Sequence, residues 1–435
     1  MVKIVIIGAG PAGRFASMYA AEAGADVTLI EKSHIAGKCL NQACMVVCAF
    51  NDVARHIQDS RNLNDLGIIK SDVEVDFEMI TKQIKESQKK IRKISEQETT
   101  LCGVDYVRGV AEVDAENKVV IVNDDDEYEY DKLLICTGSN PHIPNIKGAE
   151  NAFTYKDVLK LKEVPDDLVI IGGGSTAAEY ANIFSTFGSN VNVLCRSQFL
   201  KMLNDSEAEE YIVSNLLKNT LIHENVEIKE ITDSSVITNF GEIKGKCMLA
   251  TGVVANSSIV DGIVELDENK NIIVDRYMQT SNEDIYAAGD VIGGILSTPV
   301  SRMESITAIR NILGEKVEPD YSMVPMTVSL GYDVSYLLGY DISDVGTKVK
   351  LPGSAGPGSF WNLLNGKTGY TKEIIDDDGK ITDILSISPT SNVALPYMVK
   401  AIKDGIKADD FENFIEIHPT TDIIEKLAEY SKRYS

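Results

Sequence analysis

The stretch KIVIIGAGPAGRFASMYAAEAGADVTLIE, residues 3–31, decides the fold. It reads as an apolar strand, a glycine-rich turn, a helix and a second apolar strand that ends at Glu31. In the turn, Gly8, Gly10 and Gly13 allow a tight bend and a close approach of backbone to a pyrophosphate, and the helix N-terminus offers its N–H groups to phosphates. An acid at the end of the second strand accepts ribose hydroxyls. The stretch therefore predicts a dinucleotide-binding unit.

A second stretch, residues 167–197, has the same order of elements. It reads DLVIIGGGSTAAEYANIFSTFGSNVNVLCRS, with Gly172 and Gly174 in the turn, Ala177 in place of the third glycine, and a second strand that ends near Cys195. Two such units in one chain indicate two dinucleotides or a duplicated pair of domains.

Two cysteines, Cys39 and Cys44 in CLNQAC, follow closely on the first unit. A dithiol beside two nucleotide units predicts an electron relay with one flavin and one nicotinamide. On a regular helix their Cα atoms would lie about 8 Å apart, beyond the ~7 Å that a disulfide spans. A bridge therefore needs a distorted turn, which Gly37 and Asn41 are suited to form. Such a bridge would be strained and reducible.

Two other interpretations of these thiols stay open. Cys39 and Cys44 are either unrelated buried thiols or, with Cys48, ligands of an iron–sulfur cluster, although their spacing misses the plant-type pattern by one residue. The histidines show no metal-binding spacing, so we predict no metal site.

Composition bounds the class of protein. The 435 residues suit two or three domains, and 44% hydrophobic residues suit an ordinary globular core. No apolar run approaches the ~20 residues that cross a bilayer. The chain starts with a strand instead of a signal peptide, and seven cysteines in a chain of this size are not a secreted disulfide framework, so we expect a cytoplasmic protein. The net charge of −24 argues against nucleic acid and anionic membranes as partners.

The order of patterns predicts an α/β chain with two Rossmann-like dinucleotide-binding domains and a C-terminal α+β domain. The strand-Thr-Gly pattern of LLICTG recurs in CMLATG, as in duplicated units, and the nucleotide-binding pattern stops after about Gly314. We place the first domain at residues 1–145 and 247–316, the second at 146–246 and the third at 317–435.

Together these blocks resemble the flavoprotein disulfide reductases, the family of dihydrolipoamide dehydrogenase, glutathione reductase and mercuric reductase. The resemblance covers essentially the whole chain. Residues 8–13 with Glu31 look like the FAD fingerprint, CLNQAC like the redox-active CxNxxC, and residues 136–138 like the alanine-threonine-glycine block. The resemblance implies FAD and NADPH or NADH as cofactors, and a small-molecule or small-protein disulfide as the substrate. It also implies that Cys44 lies nearer the flavin and that Cys39 meets the substrate.

Three further motifs carry implied roles. Residues 287–290 look like the block whose Asp holds the FAD ribityl chain, and residues 297–300 are similar to the segment that lies against the flavin. His418 starts HPT, which resembles the motif of the acid–base histidine that reaches the partner subunit's disulfide. That resemblance implies a homodimer and a dimerisation role for the third domain. His418 is alternatively a hydrogen-bonded residue at a domain edge.

The chain departs from the family's pattern at three places. CMVVC stands where the family has CxPSK, so Cys48 replaces the flavin-side lysine, while the lysine's usual acidic partner survives as Glu179. Ser175 replaces the aromatic residue of the second fingerprint. The glutamate that orients the C-terminal histidine is replaced by Ile423.

Cys48 has two interpretations. If Cys44 begins a helix, Cys48 lies one turn on, on the same face. It is either a small packing residue or a third redox thiol that exchanges with Cys44. In either case Glu179 lacks its cation, and burial without a partner is expected to raise its pKa.

The loop after the second strand of the second unit bears on the nicotinamide. NAD sites usually carry an acid there, whereas Cys195 is followed by Arg196, the residue type that pairs with a 2′-phosphate. We predict a preference for NADPH, with a plain surface arginine as the alternative.

The predicted functional residues fall into two sets. The catalytic set is Cys39, Cys44, Cys48, Glu179 and His418. The cofactor-binding set is Gly8, Gly10, Pro11, Ala12, Gly13, Glu31, Lys32, Gly37, Lys38, Thr137, Gly138, Gly172, Gly174, Ser175, Thr176, Cys195, Arg196, Gly252, Gly289, Asp290, Thr298, Pro299 and Val300.

We therefore expect an FAD-dependent NAD(P)H:disulfide oxidoreductase. Two alternatives stay open: an NAD(P)H oxidase or a reductase of metal ions or quinones that uses the same dithiol, and a non-catalytic flavin-bound redox sensor.

Overall fold

The computed structural model describes residues 1–70, 73–342, 345–415 and 417–421. Within these ranges the α-helices are α1 (Pro11–Glu22), α2 (Gly37–Asn41), α3 (Cys44–Asp65), α4 (Phe77–Leu101), α5 (Ser175–Phe187), α6 (Ser206–Tyr211), α7 (Thr298–Ile312) and α8 (Ser391–Lys403).

The strands of the same ranges fall into three runs. The first run is β1 (Lys3–Ile7), β2 (Asp26–Glu31), β3 (Asp105–Arg108), β4 (Ala111–Asp114), β5 (Val119–Val122), β6 (Asp126–Glu129), β7 (Lys132–Ile135) and β8 (Ser139–Pro141). The second run is β9 (Phe153–Thr154), β10 (Asp167–Ile171), β11 (Asn190–Leu194), β12 (Thr220–His223), β13 (Ile228–Ile231), β14 (Ser235–Thr238), β15 (Gly241–Lys244), β16 (Lys246–Leu249) and β17 (Val253–Ala255). The third run is β18 (Ile285–Ala287), β19 (Pro325–Ser329), β20 (Asp333–Leu337), β21 (Thr347–Pro352), β22 (Tyr370–Ile375) and β23 (Ile381–Ser388).

The first unit is built on a parallel sheet in the order β3-β2-β1-β7-β18. Its central strand β1 is buried on both faces, which is why its sequence is a continuous apolar run. Ile4 and Ile6 pack against the alanines of α1, while Val5 and Ile7 pack with Val120 of the small sheet β4-β5-β6. The glycine-rich turn therefore emerges at the carboxyl end of a rigid strand, where doubly wound sheets bind ligands.

The second unit repeats this plan in the order β12-β11-β10-β16-β9. The predicted duplication of two Rossmann-like domains is confirmed. The predicted boundary between residues 246 and 247 is wrong, because it cuts through β16, whose Met248 pairs with Ile170 in the second sheet. The chain returns to the first unit just after β16, by way of the antiparallel pair β17 and β8.

The third unit is an antiparallel sheet in the order β19-β20-β23-β22-β21, with α8 packed on one face. Ile384 of the sheet and Leu395 of the helix share one apolar cluster. This α+β architecture agrees with the predicted fold class. No helix in the described part of the chain has the length and apolar character needed to cross a membrane.

Helix α3 ties the three units together. The amide of its Asn51 accepts from Asn182 of α5 at 2.8 Å, and its Phe50 stacks on Phe77 of α4 with ring centroids 5.6 Å apart. Its Arg55 Nε donates to Leu330 O at 2.8 Å and its guanidinium pairs with Asp333 at 2.5 Å. These contacts fix the helix, and with it the cysteine at its first residue.

A buried ion cluster joins the second and third units. Lys372 of β22 donates to both carboxylate oxygens of Asp205 at 2.8 and 2.7 Å, and pairs with Glu207 at 2.8 Å. The side chains of Lys372 and Asp205 are only 7% and 2% exposed, so water hardly solvates either charge.

Lys372→Met is therefore expected to destabilise the protein by about 3–5 kcal/mol, because it leaves a buried carboxylate without its cation. Thermal unfolding followed by calorimetry measures the effect. Lys400→Met is the matched control: its partner Asp404 and Lys400 itself are both largely exposed, and the midpoint should stay unchanged. Equal midpoints for the two variants would contradict the assigned role of the cluster.

Candidate functional site

A single cavity of ≈1780 Å³ runs between the two nucleotide-type units. Both glycine-rich turns line it, and so do Cys39, Cys44 and Cys48. Its volume exceeds the roughly 300–1,000 Å³ of a typical small-molecule site, and therefore leaves space for two large ligands that meet near the thiols.

The first glycine-rich turn is closed so tightly that side chains are excluded. A Cβ on Gly8 would lie 2.3 Å from Cys136 O, and a Cβ on Gly13 would lie 1.9 Å from Gly8 O. Gly8 also has a φ of +104°, a conformation that favours glycine. Helix α1 begins directly after Gly10, with proline at its first position. Its first residues line the cavity, so the free N–H groups of its N-terminus are available to a ligand there.

Glu31 holds this turn and keeps capacity for a ligand. Its Oε2 accepts from Ala9 N at 2.8 Å and its Oε1 accepts from Ser33 N at 2.7 Å. A carboxylate offers about four acceptor positions, so each oxygen retains one for a ribose hydroxyl. Glu31 lines the cavity, and the arrangement fits the sugar of a dinucleotide.

Cationic side chains gather along the same part of the wall. Lys32, Lys38 and Lys156 line the cavity, and Lys38 Nζ pairs with Asp290 Oδ2 at 2.5 Å. The Ser139 hydroxyl donates to the same carboxylate oxygen at 2.8 Å. Burial, together with the charges of Lys38 and Lys32, lowers the pKa of Lys156. This surface suits the phosphates and hydroxyls of an extended nucleotide.

The second glycine-rich turn has the same tight closure. A Cβ on Gly172 would lie 2.2 Å from Ala250 O, and α5 begins directly after Gly174. Cys195 is buried against this turn, with its thiol 3.6 Å from Gly172 O. Burial raises the pKa of Cys195 to about 12, so it is an inert thiol that shapes the turn. Arg196 is exposed on the cavity wall.

The helix that carries the cysteines is interrupted between them. Helix α2 ends at Asn41 and α3 begins at Cys44. The Asn41 amide donates to Gly37 O at 2.7 Å and to Ile35 O at 3.1 Å, which holds the preceding turn in place. The distorted turn that a Cys39–Cys44 bridge needs is therefore present, and both cysteines are free thiols in this structure.

Thr298, the first residue of α7, lies between the two thiols. Its hydroxyl donates to Cys39 Sγ at 3.5 Å and lies 3.9 Å from Cys44 Sγ. The hydrogen bond from Cys44, helped by that of Thr298, lowers the pKa of Cys39 to about 6 against the opposing effect of burial. The same hydrogen bond, together with desolvation by the surrounding cavity wall, raises the pKa of Cys44, which is exposed to the open cavity. At neutral pH Cys39 is the thiolate and Cys44 holds the proton.

Cys48 and Glu179 form an uncharged pair beside these thiols. Cys48 lies one turn along α3 from Cys44, as expected, and both side chains line the cavity. Cys48 is exposed to the open cavity, and partial desolvation there raises its pKa. Burial raises the pKa of Glu179 to about 8, although Ser329 N donates to the Glu179 carboxyl at 3.1 Å. Glu179 has no ion pair among the described residues.

The structure brings most of the predicted site residues to one cavity. Of the two predicted sets, only three members lie off its wall among the described residues: Gly13, Val300 and His418. Gly13 allows α1 to pack on Gly8, and Val300 is buried. His418 is exposed on the third unit, where the neighbouring Thr421 hydroxyl donates to Pro357 O at 3.1 Å. Ile423 lies outside the described residues.

Several residues of the cavity wall were not predicted from the sequence. Tyr155 and Tyr180 line the cavity, and their buried hydroxyls have no hydrogen-bond partner in the described structure. Such hydroxyls are suited to a polar ligand. Lys156 and Ser329 also line it. Tyr155, Lys156 and Ser329 lie outside the nucleotide motifs. Tyr180 follows Glu179 within α5, and no sequence pattern distinguishes it.

Among the residues that the structure describes, no group of three or more histidine, cysteine, aspartate or glutamate side chains is placed to hold a metal ion.

A family model for pyridine nucleotide-disulphide oxidoreductases matches residues 2–305. The chain belongs to the pyridine nucleotide-disulphide oxidoreductase family. This membership confirms the resemblance read from the motifs and makes the chain an oxidoreductase of flavoprotein type.

Curated relatives match this family member over nearly its full length. An uncharacterized protein of Methanocaldococcus jannaschii, MJ0636, is 32% identical over 98% of this chain and 97% of its own. A dihydrolipoyl dehydrogenase of Bacillus subtilis is 28% identical over 96% and 93%. The HOCl-induced flavoprotein disulfide reductase RclA of Escherichia coli superposes with a TM-score of 0.87 over 100% of both chains, at 22% identity, which supports the fold.

The uncharged Cys48–Glu179 pair of this oxidoreductase gives a direct spectroscopic prediction. Infrared spectra should show a Glu179 carboxylic acid band that disappears with a midpoint near pH 8. Cys48→Lys should remove the band at pH 7, because a neighbouring ammonium favours the carboxylate. Cys48→Met, which adds length without charge, should leave it.

Glu179→Gln identifies the band, because Glu373, a second buried carboxyl with its pKa raised to about 8, remains as background. A Glu179 band that is absent at pH 7 in the wild-type protein would refute the neutral pair.

Proposed function

We propose that this protein is an FAD-dependent NAD(P)H:disulfide oxidoreductase in which Cys39 and Cys44 form the redox-active disulfide. The proposal depends mainly on one contact. At the edge of the cavity shared by both glycine-rich turns, the Thr298 hydroxyl lies 3.5 Å from the Cys39 sulfur and 3.9 Å from the Cys44 sulfur. The family membership supports this class of chemistry.

The cavity residues fit the two nucleotides that this chemistry requires. Glu31 and the N-terminus of α1 suit the adenosine ribose and pyrophosphate of FAD, and Asp290 with Lys38 suits its ribityl hydroxyls and phosphates. The N-terminus of α5 and Arg196 suit NADPH. Bound FAD would supply the route by which the two electrons of NAD(P)H reach the Cys39–Cys44 disulfide. In the reduced pair Cys44 holds a proton and Cys39 is the thiolate.

The geometry gives the two thiols successive roles. Cys39, with its pKa lowered to about 6, is the thiolate at neutral pH and attacks one sulfur of the substrate RS–SR. A Cys39–SR bond forms, the substrate S–S bond breaks, and RS⁻ takes a proton and leaves as RSH.

The second step follows from the first. The hydrogen bond and charge of Cys39 are leading causes of the raised pKa of Cys44, and both vanish once Cys39 is in a mixed disulfide. Cys44 then loses its proton more readily and attacks the Cys39 sulfur. The Cys39–Cys44 bond forms, the Cys39–SR bond breaks, and the released RS⁻ takes up a proton and leaves as the second RSH, which restores the disulfide.

We also propose that His418 supplies the acid–base function from the partner subunit of a homodimer. Within one chain His418 is exposed and lies off the cavity wall, so a second copy is the simplest route by which it meets Cys39. On this view the first unit binds FAD, the second binds NAD(P)H and the third mediates dimerisation. A cytoplasmic location suits a dithiol that cycles in a reducing compartment.

Turnover with disulfides tests the proposal. Purified holoenzyme with NADPH should reduce small disulfides, and Cys39→Ser or Cys44→Ser should lower that rate by at least about a hundredfold, since each thiol is a nucleophile in one step. Cys102→Ser is the matched control, at the C-cap of α4 and away from the cavity.

Two outcomes would contradict it. Oxygen, quinone or metal-ion reduction without disulfide reduction would favour the alternative enzyme class, and a flavin that no nicotinamide reduces would favour a sensor. A Cys48→Ser variant that loses turnover would make Cys48 a redox thiol instead of a packing residue.

NADPH preference is a separate prediction. Arg196 lines the cavity and makes no ion pair within the described ranges, so it is available to a 2′-phosphate. Arg196→Glu should raise the KM for NADPH roughly ten- to hundredfold and change that for NADH little, as expected for loss of a charged hydrogen bond. Lys201→Glu, nearby but off the cavity wall, is the control. Equal shifts for both nucleotides would exclude this role.

A further inference from the structure

One arginine near the reactive thiol is not used by the nucleotide chemistry. Arg302 lies one turn along α7 from Thr298, so the two side chains share a face of the helix. Thr298, Pro299 and Ser301 line the cavity, whereas Arg302 is absent from its wall within the described chain. Cys39 faces the cavity, and its sulfur accepts a hydrogen bond at 3.5 Å from Thr298, one helical turn before Arg302. After the hydrogen bonds from Cys44 and Thr298, the charge of Arg302 adds to the lowering of the pKa of Cys39.

The guanidinium of Arg302 is held in place without being neutralised. It stacks on the ring of Phe15 with 5.2 Å to the centroid, and Arg14 stacks on the same ring at 5.4 Å. Arg14 pairs with Glu98 at 2.6 Å, but Arg302 makes no ion pair with the described residues. Arg302 is therefore a cation that an aromatic ring holds one helical turn from Thr298, in a chain with 66 acidic and 42 basic residues.

A fixed, partly exposed guanidinium has a specific chemistry. Its planar fork binds carboxylate, sulfonate or phosphate groups through paired hydrogen bonds, and stacking on an aromatic ring orders it beforehand. Because Cys39 is the thiol that attacks the substrate, an anionic group on that substrate would meet Arg302 as the disulfide meets Cys39.

We propose that Arg302 is a specificity-determining residue that binds an anionic group of the substrate, so that the preferred substrates are small disulfides carrying a carboxylate, sulfonate or phosphate near the sulfur. The inference rests on the proposed disulfide reductase function and adds the substrate class. Neutral disulfides of the same size gain nothing from this residue.

Three symmetric disulfides of equal chain length test the proposal with holoenzyme: cystamine, hydroxyethyl disulfide and the disulfide of mercaptoethanesulfonate. The kcat/KM should be highest for the sulfonate and lowest for cystamine. Arg302→Met should lower the sulfonate value roughly ten- to hundredfold and leave the hydroxyl compound nearly unchanged. Arg302→Lys should retain part of the preference. Arg310→Met, on the same helix and paired with Glu315, is the control.

A second readout needs no turnover. Iodoacetate and iodoacetamide differ mainly in charge, and both alkylate Cys39 in the reduced protein. In the wild-type protein the ratio of the iodoacetate rate to the iodoacetamide rate should exceed that of free cysteine, and Arg302→Met should lower it. Rising salt should lower the wild-type ratio as well, through screening.

The two readouts separate the possible failures. An alkylation ratio no higher than that of free cysteine overturns the anion site, even if Arg302→Met folds poorly. A raised ratio with no turnover of any disulfide supports the anion site and refutes the proposed function. Turnover that is equal for the three disulfides overturns the substrate class.

Discussion

The interruption of the helix between Asn41 and Cys44 is the constraint on which the site depends. A continuous helix would hold Cys39 and Cys44 too far apart to form a disulfide. The Asn41 amide bonds to Gly37 O and Ile35 O, closing the first short helix, and Cys44 then starts a new one. That new helix is anchored to α5 and to the third unit, so the thiols are positioned by the packing of the whole chain.

Charge is distributed unevenly around this thiol pair. Lysines line the part of the cavity suited to phosphates, while Cys48 and Glu179 leave an uncharged zone beside Cys44. Cys39 alone is stabilised as an anion, by Cys44 and Thr298. The arrangement separates the residues suited to hold nucleotides from the residues suited to exchange electrons. Because Cys48 stands where the family's pattern has a lysine, this zone carries less positive charge than that pattern provides.

Local patterns were sufficient to predict both nucleotide-binding turns, because β1 and α1 are set by neighbouring residues. The sequence also placed Cys39 and Cys44 together through their motif. It did not place Thr298 between their sulfurs, because that contact joins residues 259 positions apart. Lys156 and Arg302 were missed for the same reason. The domain boundary was misplaced because β16 ends in the same Thr-Gly pattern as β7, so the two units look alike at that point.

Anaerobic reductive titration shows directly whether Cys39 and Cys44 form a redox disulfide coupled to the nucleotide cavity. The flavin takes two electrons and the disulfide takes two more. The oxidised holoenzyme should therefore take up about four electrons per chain, with Cys39 and Cys44 becoming open to alkylation. Cys44→Ser should take up about two. Uptake of only two electrons by the wild-type protein, with no new alkylation at either cysteine, would exclude a redox disulfide between Cys39 and Cys44.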